Sequence, residues 1–188
     1  MPLLWRRRPP TPTLPPGLRP WLTDTGSLTA RIVARCRRFH VEVLDQRRSR
    51  PMTDERRLFR LRSGEHLRVR EVILYADGQP VVYARSVLTE RDLRLGWRVF
   101  RGIGNRPLGA ALFADPRIRR QSLVAAALKR GDARYHRALV HAKPAPPQLR
   151  LWARRSLFRL HGRDLLVTEV FLPAVLALPE PAKRIART

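Results

Sequence analysis

Glu169 is the residue of this sequence whose type and position are best suited to chemistry. It lies within residues 165–173, LLVTEVFLP, an apolar stretch that predicts a strand with few polar neighbours on either face. Keeping an ionised carboxylate in such surroundings costs several kcal/mol unless another group pairs with it. A carboxyl group with restricted access to water is suited to accepting or relaying a proton. We therefore treat Glu169 as a candidate catalytic residue.

Arg70 is the second candidate. It falls in residues 67–75, a predicted strand, and the period of two places it on the same face as Val72 and Leu74. The guanidinium fork of an arginine binds both oxygens of a carboxylate. Taken alone, a buried Glu or Arg is more often structural than functional. From the residues alone, Arg70 and Glu169 either pair with each other or line one cavity and bind the two ends of a small polar aromatic molecule.

The usual catalytic signatures are missing from the sequence. It contains no phosphate-binding GxxxxGKS/T segment and no GxSxG nucleophile elbow, and Gly102-Ile103-Gly104 is too short for a dinucleotide fingerprint. The five histidines lack metal-ligand spacing. The single cysteine, Cys36, allows neither an internal disulfide nor a thiolate metal cluster, and we interpret it as a small core residue on the apolar face of a helix. The sequence therefore predicts no metal site and gives no support to covalent catalysis.

Two hairpins with helices between them account for most of the elements that must position these residues. Asp77-Gly78 between the β-rich runs 67–75 and 81–88 marks the first hairpin, and residues 161–164 connect the second, 154–160 with 165–172. Before the first hairpin, we predict a helix over 28–38 capped by Ser27, a strand over 39–44, a polar loop over 47–52 and a helix over 53–61. Between the hairpins, we predict short helical pieces over 89–101 and a helix from Pro107 to Phe113. Residues 118–128 are ambiguous between helix and strand, and residues 131–148 are predicted as a surface connection. This order predicts an α+β domain with a single, mostly antiparallel β-sheet and helices packed against it.

The length and composition predict one domain with irregular ends. A chain of 188 residues can bury a core of its own. Residues 1–20 carry seven prolines, so we predict a flexible arm outside the core, then a domain over 21–174 and a flexible tail over 175–188. No apolar run approaches the roughly 20 residues of a membrane span. The N-terminus lacks the apolar core of a signal peptide, so we expect a cytoplasmic protein, and we expect a monomer.

The formal charge of +24 invites a nucleic-acid interpretation. Three of the 39 basic residues are lysines (Lys129, Lys143 and Lys183), so 36 are arginines, and they are spread along the chain. This excess of arginine over lysine is more typical of a GC-rich coding sequence than of selection for phosphate contacts. A small dianionic substrate would benefit from the positive charge as much as DNA would, and we expect no nucleic-acid partner.

Four segments of the sequence resemble the chorismate pyruvate-lyase family, and they come in that family's order. Residues 152–174 resemble its C-terminal signature, and residues 70–78, REVILYADG, resemble its central hairpin. Residues 106–113, RPLGAALF, resemble its glycine-flanked helix start, and residues 21–29 resemble its first helix. The match spans about residues 21–174.

The resemblance implies a single antiparallel sheet whose active site is an enclosed pocket covered by helical flaps. It implies a lyase that converts chorismate to 4-hydroxybenzoate and pyruvate without metal or organic cofactor, and that supplies the ring precursor of ubiquinone. Position by position, Arg70 matches the arginine that grips the ring carboxylate, and Glu169 matches the glutamate that contacts the 4-hydroxyl. Leu28 and Leu108 match positions whose main chain contributes to the carboxylate site.

Two other classes of protein stay open. The effector domains of some transcription regulators resemble this fold and bind small molecules without turning them over, normally after a DNA-binding helix-turn-helix module. Residues 1–20 are too short and too rich in proline to form such a module. A basic nucleic-acid-binding protein is the third interpretation, and it predicts an affinity that collapses with salt.

Overall fold

The computed structural model describes residues 5–8, 14–142 and 150–181. Within these residues, six strands form one sheet: β1 (Phe39–Ser49), β2 (Leu67–Ala76), β3 (Gln79–Leu88), β4 (Arg119–Leu128), β5 (Leu151–Leu160) and β6 (Arg163–Phe171). Their order across the sheet is β1-β2-β3-β6-β5-β4, and each neighbouring pair is antiparallel. The predicted α+β class with a single antiparallel sheet is confirmed.

Short helices fill the connections between the strands. The α-helices of the described ranges are α1 (Arg19–Thr23), α2 (Leu28–Val33), α3 (Thr53–Leu58), α4 (Glu90–Leu95), α5 (Leu108–Ala114) and α6 (Ala133–His141). Two 3₁₀ helices, Arg98–Phe100 and Pro173–Ala177, accompany them. None of the helices in the described part of the chain has the length and hydropathy needed to span a bilayer.

Both predicted hairpins are present, and each turns on two residues with positive φ. Asp77 and Gly78 connect β2 to β3 with φ of 50° and 76°, and His161 and Gly162 connect β5 to β6 with φ of 49° and 74°. Two consecutive left-handed residues make the tight turn whose twist matches that of antiparallel strands. The turns fix the register of each hairpin, and β3 then pairs with β6 to join the two hairpins into one sheet.

Different helices cover the two faces of the sheet. We call front the face that bears Val72 and Phe158, whose apolar side chains pack in two clusters with residues of α1, α2 and α5 and of the segment that follows β3. We call back the face that bears Ile73 and Val170, which packs against α6 and against residues at the end of α3. The candidate site described below lies on the front face, between the two apolar clusters.

A buried ion cluster holds α3 on the back face. Arg85 of β3 is 1% exposed, and its Nε and Nη2 donate to the two carboxylate oxygens of Glu55 in α3 at 2.7 and 2.9 Å. Its Nη1 donates to Glu71 of β2 at 2.6 Å, and Arg137 of α6 donates to the same carboxylate. Such bidentate geometry offsets the desolvation of the buried charges. The cluster therefore ties α3 and α6 to the central strands.

Several stretches differ from the sequence-based predictions. The predicted surface connection over 131–148 contains α6, whose N-cap Asp132 accepts a hydrogen bond from the backbone N–H of Arg134 at 2.8 Å; residues 143–149 lie outside the described part. The ambiguous stretch 118–128 forms β4. The predicted helix over 28–38 ends at Val33, so Cys36 lies beyond it, half-buried against the front face. β1 continues to Ser49, through part of the predicted polar loop.

Residues 1–20 were predicted to lie outside the core, whereas parts of the described residues 5–8 and 14–20 pack against the sheet. The backbone of Arg6 exchanges two hydrogen bonds with Ala125 of the edge strand β4, at 2.8 and 2.7 Å. The Trp5 indole donates to the Asp54 carboxylate at 3.2 Å, and Leu18 is buried on the front face. The reason is that an edge strand offers unpaired backbone groups and the front face offers apolar surface, and both attract this segment.

The predicted flexible tail over 175–188 also begins inside the core. Val175, in the 3₁₀ helix Pro173–Ala177, is 1% exposed and packs in the same front-face cluster as Leu18. The tail residues 182–188 lie outside the described part of the chain.

Candidate active site

A pocket lies between the front face of the sheet and the helices α2 and α5. Strands β1, β2, β3, β4, β5 and β6 supply its floor, and the two helices supply the opposite wall. Its lining residues are Leu28, Thr29, Val41, Arg70, Val72, Leu74, Ala84, Ser86, Pro107, Leu108, Gly109, Leu112, Phe113, Arg120, Arg154, Ser156, Phe158, Val167 and Glu169. All four residues singled out from the sequence as site candidates are among them.

Strand pairing arranges the floor in two rows of residues. From β2 to β5, one row runs Arg70, Ser86, Val167 and Ser156, and the next row runs Val72, Ala84, Glu169 and Arg154. Arg70 and Glu169 are separated by β3 and by one row. With strands about 4.8 Å apart and a rise of about 3.4 Å per residue, their backbones are about 12 Å apart. Both residues line one cavity, and they do not pair with each other: Glu169 pairs with Arg154, and Arg70 donates to backbone carbonyls. That they bind the two ends of one ligand stays a prediction.

Arg70 is held by backbone carbonyl groups. The residue is 1% exposed, and its Nη2 donates to the carbonyl oxygens of Gly104 at 2.8 Å and Arg106 at 3.2 Å. Its Nε is buried without a hydrogen-bond partner, and no carboxylate of the described residues forms an ion pair with it. Burial lowers the pKa of the Arg70 guanidinium below its ordinary value. A buried cation that lacks an anion is suited to receive one from a ligand.

Glu169 has a partner that the sequence analysis did not single out. Its Oε2 accepts a hydrogen bond from Nε of Arg154 at 2.5 Å, and its side chain is 13% exposed. Arg154 is itself 1% exposed and donates from Nη1 to the carbonyl oxygens of Trp21 at 3.1 Å and Asp24 at 3.0 Å. Glu169 is thus less dry than its apolar neighbours suggested, and it is neutralised on one side. Alternation along β5 places Arg154 on the pocket face with Ser156, and this was the signal that could have identified it.

Leu28 and Leu108 are the first residues of α2 and α5, and both lie in the pocket wall. The first backbone N–H groups of a helix have no partner within the helix. Ser27 caps α2, because its side chain accepts a hydrogen bond from the N–H of Ala30 at 3.3 Å. Helix α5 begins at Leu108, one residue later than predicted, and Pro107 is its N-cap. Two helix starts therefore meet at one edge of the pocket.

Gly109 allows the two helix starts to come close together. A Cβ atom at this position would lie 2.7 Å from Oγ1 of Thr29 in α2, well inside van der Waals contact. The backbone of α5 can therefore approach α2 this closely only because residue 109 has no side chain.

Arg120 is a further arginine of the pocket that the sequence analysis did not single out. Its guanidinium donates to the carbonyl oxygens of Thr25 and Gly26, and it lies 5.0 Å from the ring centre of Phe113 and 5.1 Å from that of Phe158. Burial, and then the charge of Arg154, lowers the pKa of Arg120. Because residues 118–128 were predicted as either helix or strand, the sequence did not indicate on which face of an element Arg120 lies.

Three pocket residues carry a buried polar atom without a partner: Nε of Arg70, Nε of Arg120 and Oγ of Ser156. An unsatisfied buried donor or acceptor costs about 1–3 kcal/mol, so such atoms are rare unless a ligand or water completes them. Their concentration here indicates a site for a polar ligand. Among the described residues, no group of three or more His, Cys, Asp or Glu side chains is arranged to hold a metal ion.

Comparison with known sequences identifies close relatives. The family model described as chorismate lyase matches residues 2–177. A protein of Aromatoleum aromaticum named probable chorismate pyruvate-lyase is 61% identical over 175 residues, which cover 93% of this chain and 95% of the relative. A protein of Azoarcus sp. with the same name is 61% identical over 180 residues, which cover 94% of each chain.

Comparison with solved structures finds the same fold in the C-terminal domains of two other proteins, one of them a repressor. The C-terminal domain of the histidine utilization repressor from Pseudomonas syringae superposes with a TM-score of 0.54 at 9% identity, over 73% of this chain and 93% of that domain. The C-terminal domain of PhnF gives a TM-score of 0.53 at 12% identity, over 71% of this chain and 82% of that domain. At these identities the likeness concerns the fold alone.

Proposed function

Because this chain belongs to the chorismate lyase family, we propose that it cleaves chorismate to 4-hydroxybenzoate and pyruvate. The observation that carries the proposal is that one pocket holds two opposite groups: an arginine without an anion, Arg70, and a carboxylate, Glu169, whose backbones are about 12 Å apart on the same face of the sheet. A ring with a carboxylate at one end and a hydroxyl at the other fits between two such groups.

The carboxylate end of the substrate is assigned to Arg70 and the two helix starts. The guanidinium of Arg70 is fixed by the carbonyls of Gly104 and Arg106, which leaves its buried Nε free to donate. The backbone N–H groups of Leu28 and Leu108 add donors from the wall of the pocket, as the family resemblance implies. Charge-assisted hydrogen bonds to a desolvated carboxylate are among the strongest that a protein makes.

The hydroxyl end is assigned to Glu169. In the reaction, the C–H bond at ring carbon 4 and the ether C–O bond at carbon 3 break, a double bond forms between these two carbons, and the ring becomes aromatic. The departing enolpyruvate gains the hydrogen and becomes pyruvate, so atoms and charge balance. Glu169, held by Arg154, contacts the 4-hydroxyl next to the carbon that loses hydrogen. No nucleophile is required, and the protein acts by holding the reactive conformer and stabilising charge as the ether bond breaks.

The wall formed by α2 and α5 is assigned the role of the flaps over the pocket. These helices are short, of six and seven residues, and they meet at Thr29 and Gly109. Separation of the two helix starts would open the pocket edge, and their contact would exclude water from the ring.

The test is the reaction itself. Purified protein is mixed with chorismate, 4-hydroxybenzoate is followed by chromatography, and pyruvate is followed by its reduction with lactate dehydrogenase. We expect the two products in equal amounts, at a rate unchanged by EDTA. Product formation no faster than in the absence of protein would refute the lyase proposal.

The same preparation separates the two other classes of function. A small-molecule binding module would bind 4-hydroxybenzoate or chorismate without forming product, and a nucleic-acid-binding protein would bind DNA or RNA with an affinity that falls steeply with salt. The identity of 61% to named lyases favours the enzyme over both. In line with the family resemblance, we assign the protein to ubiquinone ring synthesis without a cofactor. The cytoplasmic location and the monomeric state stay predictions from the sequence.

A further inference from the structure

The charges of the pocket are unbalanced in a way that Arg70 and Glu169 do not explain. Four charged side chains line it: Arg70, Arg120, Arg154 and Glu169. Arg154 and Glu169 form an ion pair at 2.5 Å. Arg70 and Arg120 make no ion pair with any carboxylate of the described residues, and their hydrogen bonds go to backbone carbonyls. The pocket therefore holds two cations that are not neutralised, in positions suited to a dianion.

Arg120 is fixed in place rather than extended into solvent. Its guanidinium is bound to the carbonyls of Thr25 and Gly26 in the loop before α2, and it packs on the rings of Phe113 and Phe158. Its Nε is buried and has no partner. These contacts orient the head group and leave its buried Nε–H without an acceptor, which is the arrangement that pre-organises an arginine for an anion.

Arg120 and Arg70 approach the pocket from opposite sides. Arg70 is on β2 and Arg120 is on β4, with β3, β6 and β5 between them. Glu169 on β6 lies between the two arginines, one strand away from Arg154 on β5. The charges of Arg154 and Glu169 both act on Arg120, so its guanidinium lies toward their end of the pocket although its backbone pairs with Phe158. A ligand whose first carboxylate meets Arg70 and whose hydroxyl meets Glu169 therefore brings the substituent beside that hydroxyl toward Arg120.

We propose that Arg120 binds the second carboxylate of the substrate, the one carried by the enolpyruvyl ether. This inference rests on the proposed lyase function, since it concerns the same pocket. The ring product has one carboxylate, whereas the substrate has two. Arg120 thus contributes to substrate binding and to stabilising the enolpyruvate as the C–O bond breaks, and it contributes little to holding 4-hydroxybenzoate.

The kinetic test compares Arg120→Gln with Arg119→Gln. Arg119 is the exposed neighbour on β4, so its substitution changes the net charge equally without touching the pocket. We expect Arg120→Gln to lower kcat/KM for chorismate by about ten- to a hundredfold and to change the dissociation constant of 4-hydroxybenzoate by less than about threefold. Arg119→Gln leaves both values unchanged. Equal losses for chorismate and 4-hydroxybenzoate, or no loss for either, would overturn the proposal.

A binding test gives an answer even if the protein does not turn chorismate over. Calorimetry compares 3-(carboxymethoxy)benzoate, which has a ring carboxylate and an ether-linked carboxylate, with 3-methoxybenzoate, which lacks the second. We expect wild-type protein and Arg119→Gln to prefer the dicarboxylate, Arg120→Gln to lose that preference, and Arg120→Lys to recover part of it. A preference that persists in Arg120→Gln, with its circular dichroism unchanged, refutes the assignment independently of turnover. If Arg120→Gln does not fold, Arg120→Lys decides, because weaker binding of the dicarboxylate alone supports the assignment and equal weakening of both ligands refutes it.

Discussion

Arg154 joins the candidate catalytic carboxylate to the backbone at the end of α1. Its Nε donates to Glu169 at 2.5 Å, and its Nη1 donates to the carbonyls of Trp21 and Asp24 at 3.1 and 3.0 Å. One buried guanidinium therefore fixes the position of Glu169 and the end of α1 together. The carboxylate of Glu169 is fixed by this ion pair. Its contribution to the stability of the protein and its role in the reaction can therefore be tested separately.

Glu169→Gln separates these two roles. The amide keeps the shape of the side chain, and its carbonyl can still accept the hydrogen bond from Arg154. We expect turnover of chorismate to fall by about a hundredfold or more, because the charge and the proton acceptor are lost. The free energy of unfolding, measured with urea, changes by less than about 1 kcal/mol. A variant that unfolds readily, while its folded fraction keeps near-normal specific activity, would show that Glu169 is structural.

Arg154→Met removes the arginine that fixes Glu169 and leaves the carboxylate in place. It leaves a partly buried carboxylate and two carbonyls without their donor, so we expect the free energy of unfolding to drop by about 3 kcal/mol. The double variant Arg154→Met/Glu169→Met should lose less stability than the sum of the losses of Arg154→Met and Glu169→Met measured singly, since neither charge is left alone. Arg159→Met is the matched control on the same strand, because Arg159 pairs with Asp164 at the surface and its loss costs less than about 1 kcal/mol. Additive single losses would mean that the pair is not coupled.

Arg70→Met tests the ring-carboxylate site. Arg70 has no anionic partner among the described residues, and burial disfavours its charge, so its loss should change the free energy of unfolding by no more than about 1 kcal/mol. We expect the dissociation constant of 4-hydroxybenzoate, measured by calorimetry, to rise by about a hundredfold. An unchanged dissociation constant would exclude Arg70 from carboxylate binding.

The local signals in the sequence were sufficient to predict the hairpins and the strands that carry Arg70 and Glu169 to the pocket face. Asp77-Gly78 fixes the β2–β3 turn, and alternation then places Arg70 on the face that Val72 shares. The apolar, β-rich residues on both sides of Glu169 predict the strand β6. These features depend on neighbours within about ten residues, which sequence patterns report well.

The remaining features depend on pairings that no local pattern reports. Arg154 meets Glu169 because β5 pairs with β6 in one register, and Arg120 reaches the pocket because β4 adds beside β5 with an irregularity after Arg120. The first residues were predicted to form a free arm because their prolines disfavour regular structure, whereas Arg6 binds the edge strand through its backbone. Helix α6 was missed because prolines follow it closely and made the whole stretch look irregular.

Gly109→Ala tests the contact between the two helix starts. The added methyl group would lie 2.7 Å from Oγ1 of Thr29, so α5 or α2 must shift. We expect weaker binding of 4-hydroxybenzoate and a lower melting temperature, although alanine favours a helix over glycine by about 1 kcal/mol. Thr29→Ala in the same chain removes the nearest clashing atom and should restore the melting temperature. A single Gly109→Ala variant that binds as tightly as wild type would show that the close approach is not needed.

The carboxylates of Glu71 and Asp54 on the back face of the sheet should make the stability of the folded protein sensitive to acid. Burial by itself raises the pKa of Glu71, but the hydrogen bond and charge of Arg85, and the charge of Arg137, outweigh burial, so the pKa lies below its ordinary value. For Asp54, burial likewise raises the pKa, and Arg134 and Arg155 outweigh it. A carboxyl group with a lowered pKa in the folded state adds stability above its unfolded pKa, and this contribution is lost as the pH falls through the folded pKa.

Glu71→Gln measures how much of that acid sensitivity comes from the cluster around Arg85. Because the unfolded chain binds protons first, the free energy of unfolding of the wild type should decline below about pH 5. The variant should be less stable at pH 7, since Arg85 and Arg137 lose a charged partner, and its stability should fall less between pH 7 and about pH 3.5 than that of the wild type. Glu180→Gln is the matched control, because that side chain is 97% exposed and its removal changes the net charge equally. Urea titrations at the two pH values supply the comparison, and parallel declines for wild type and Glu71→Gln would place the acid sensitivity outside this cluster.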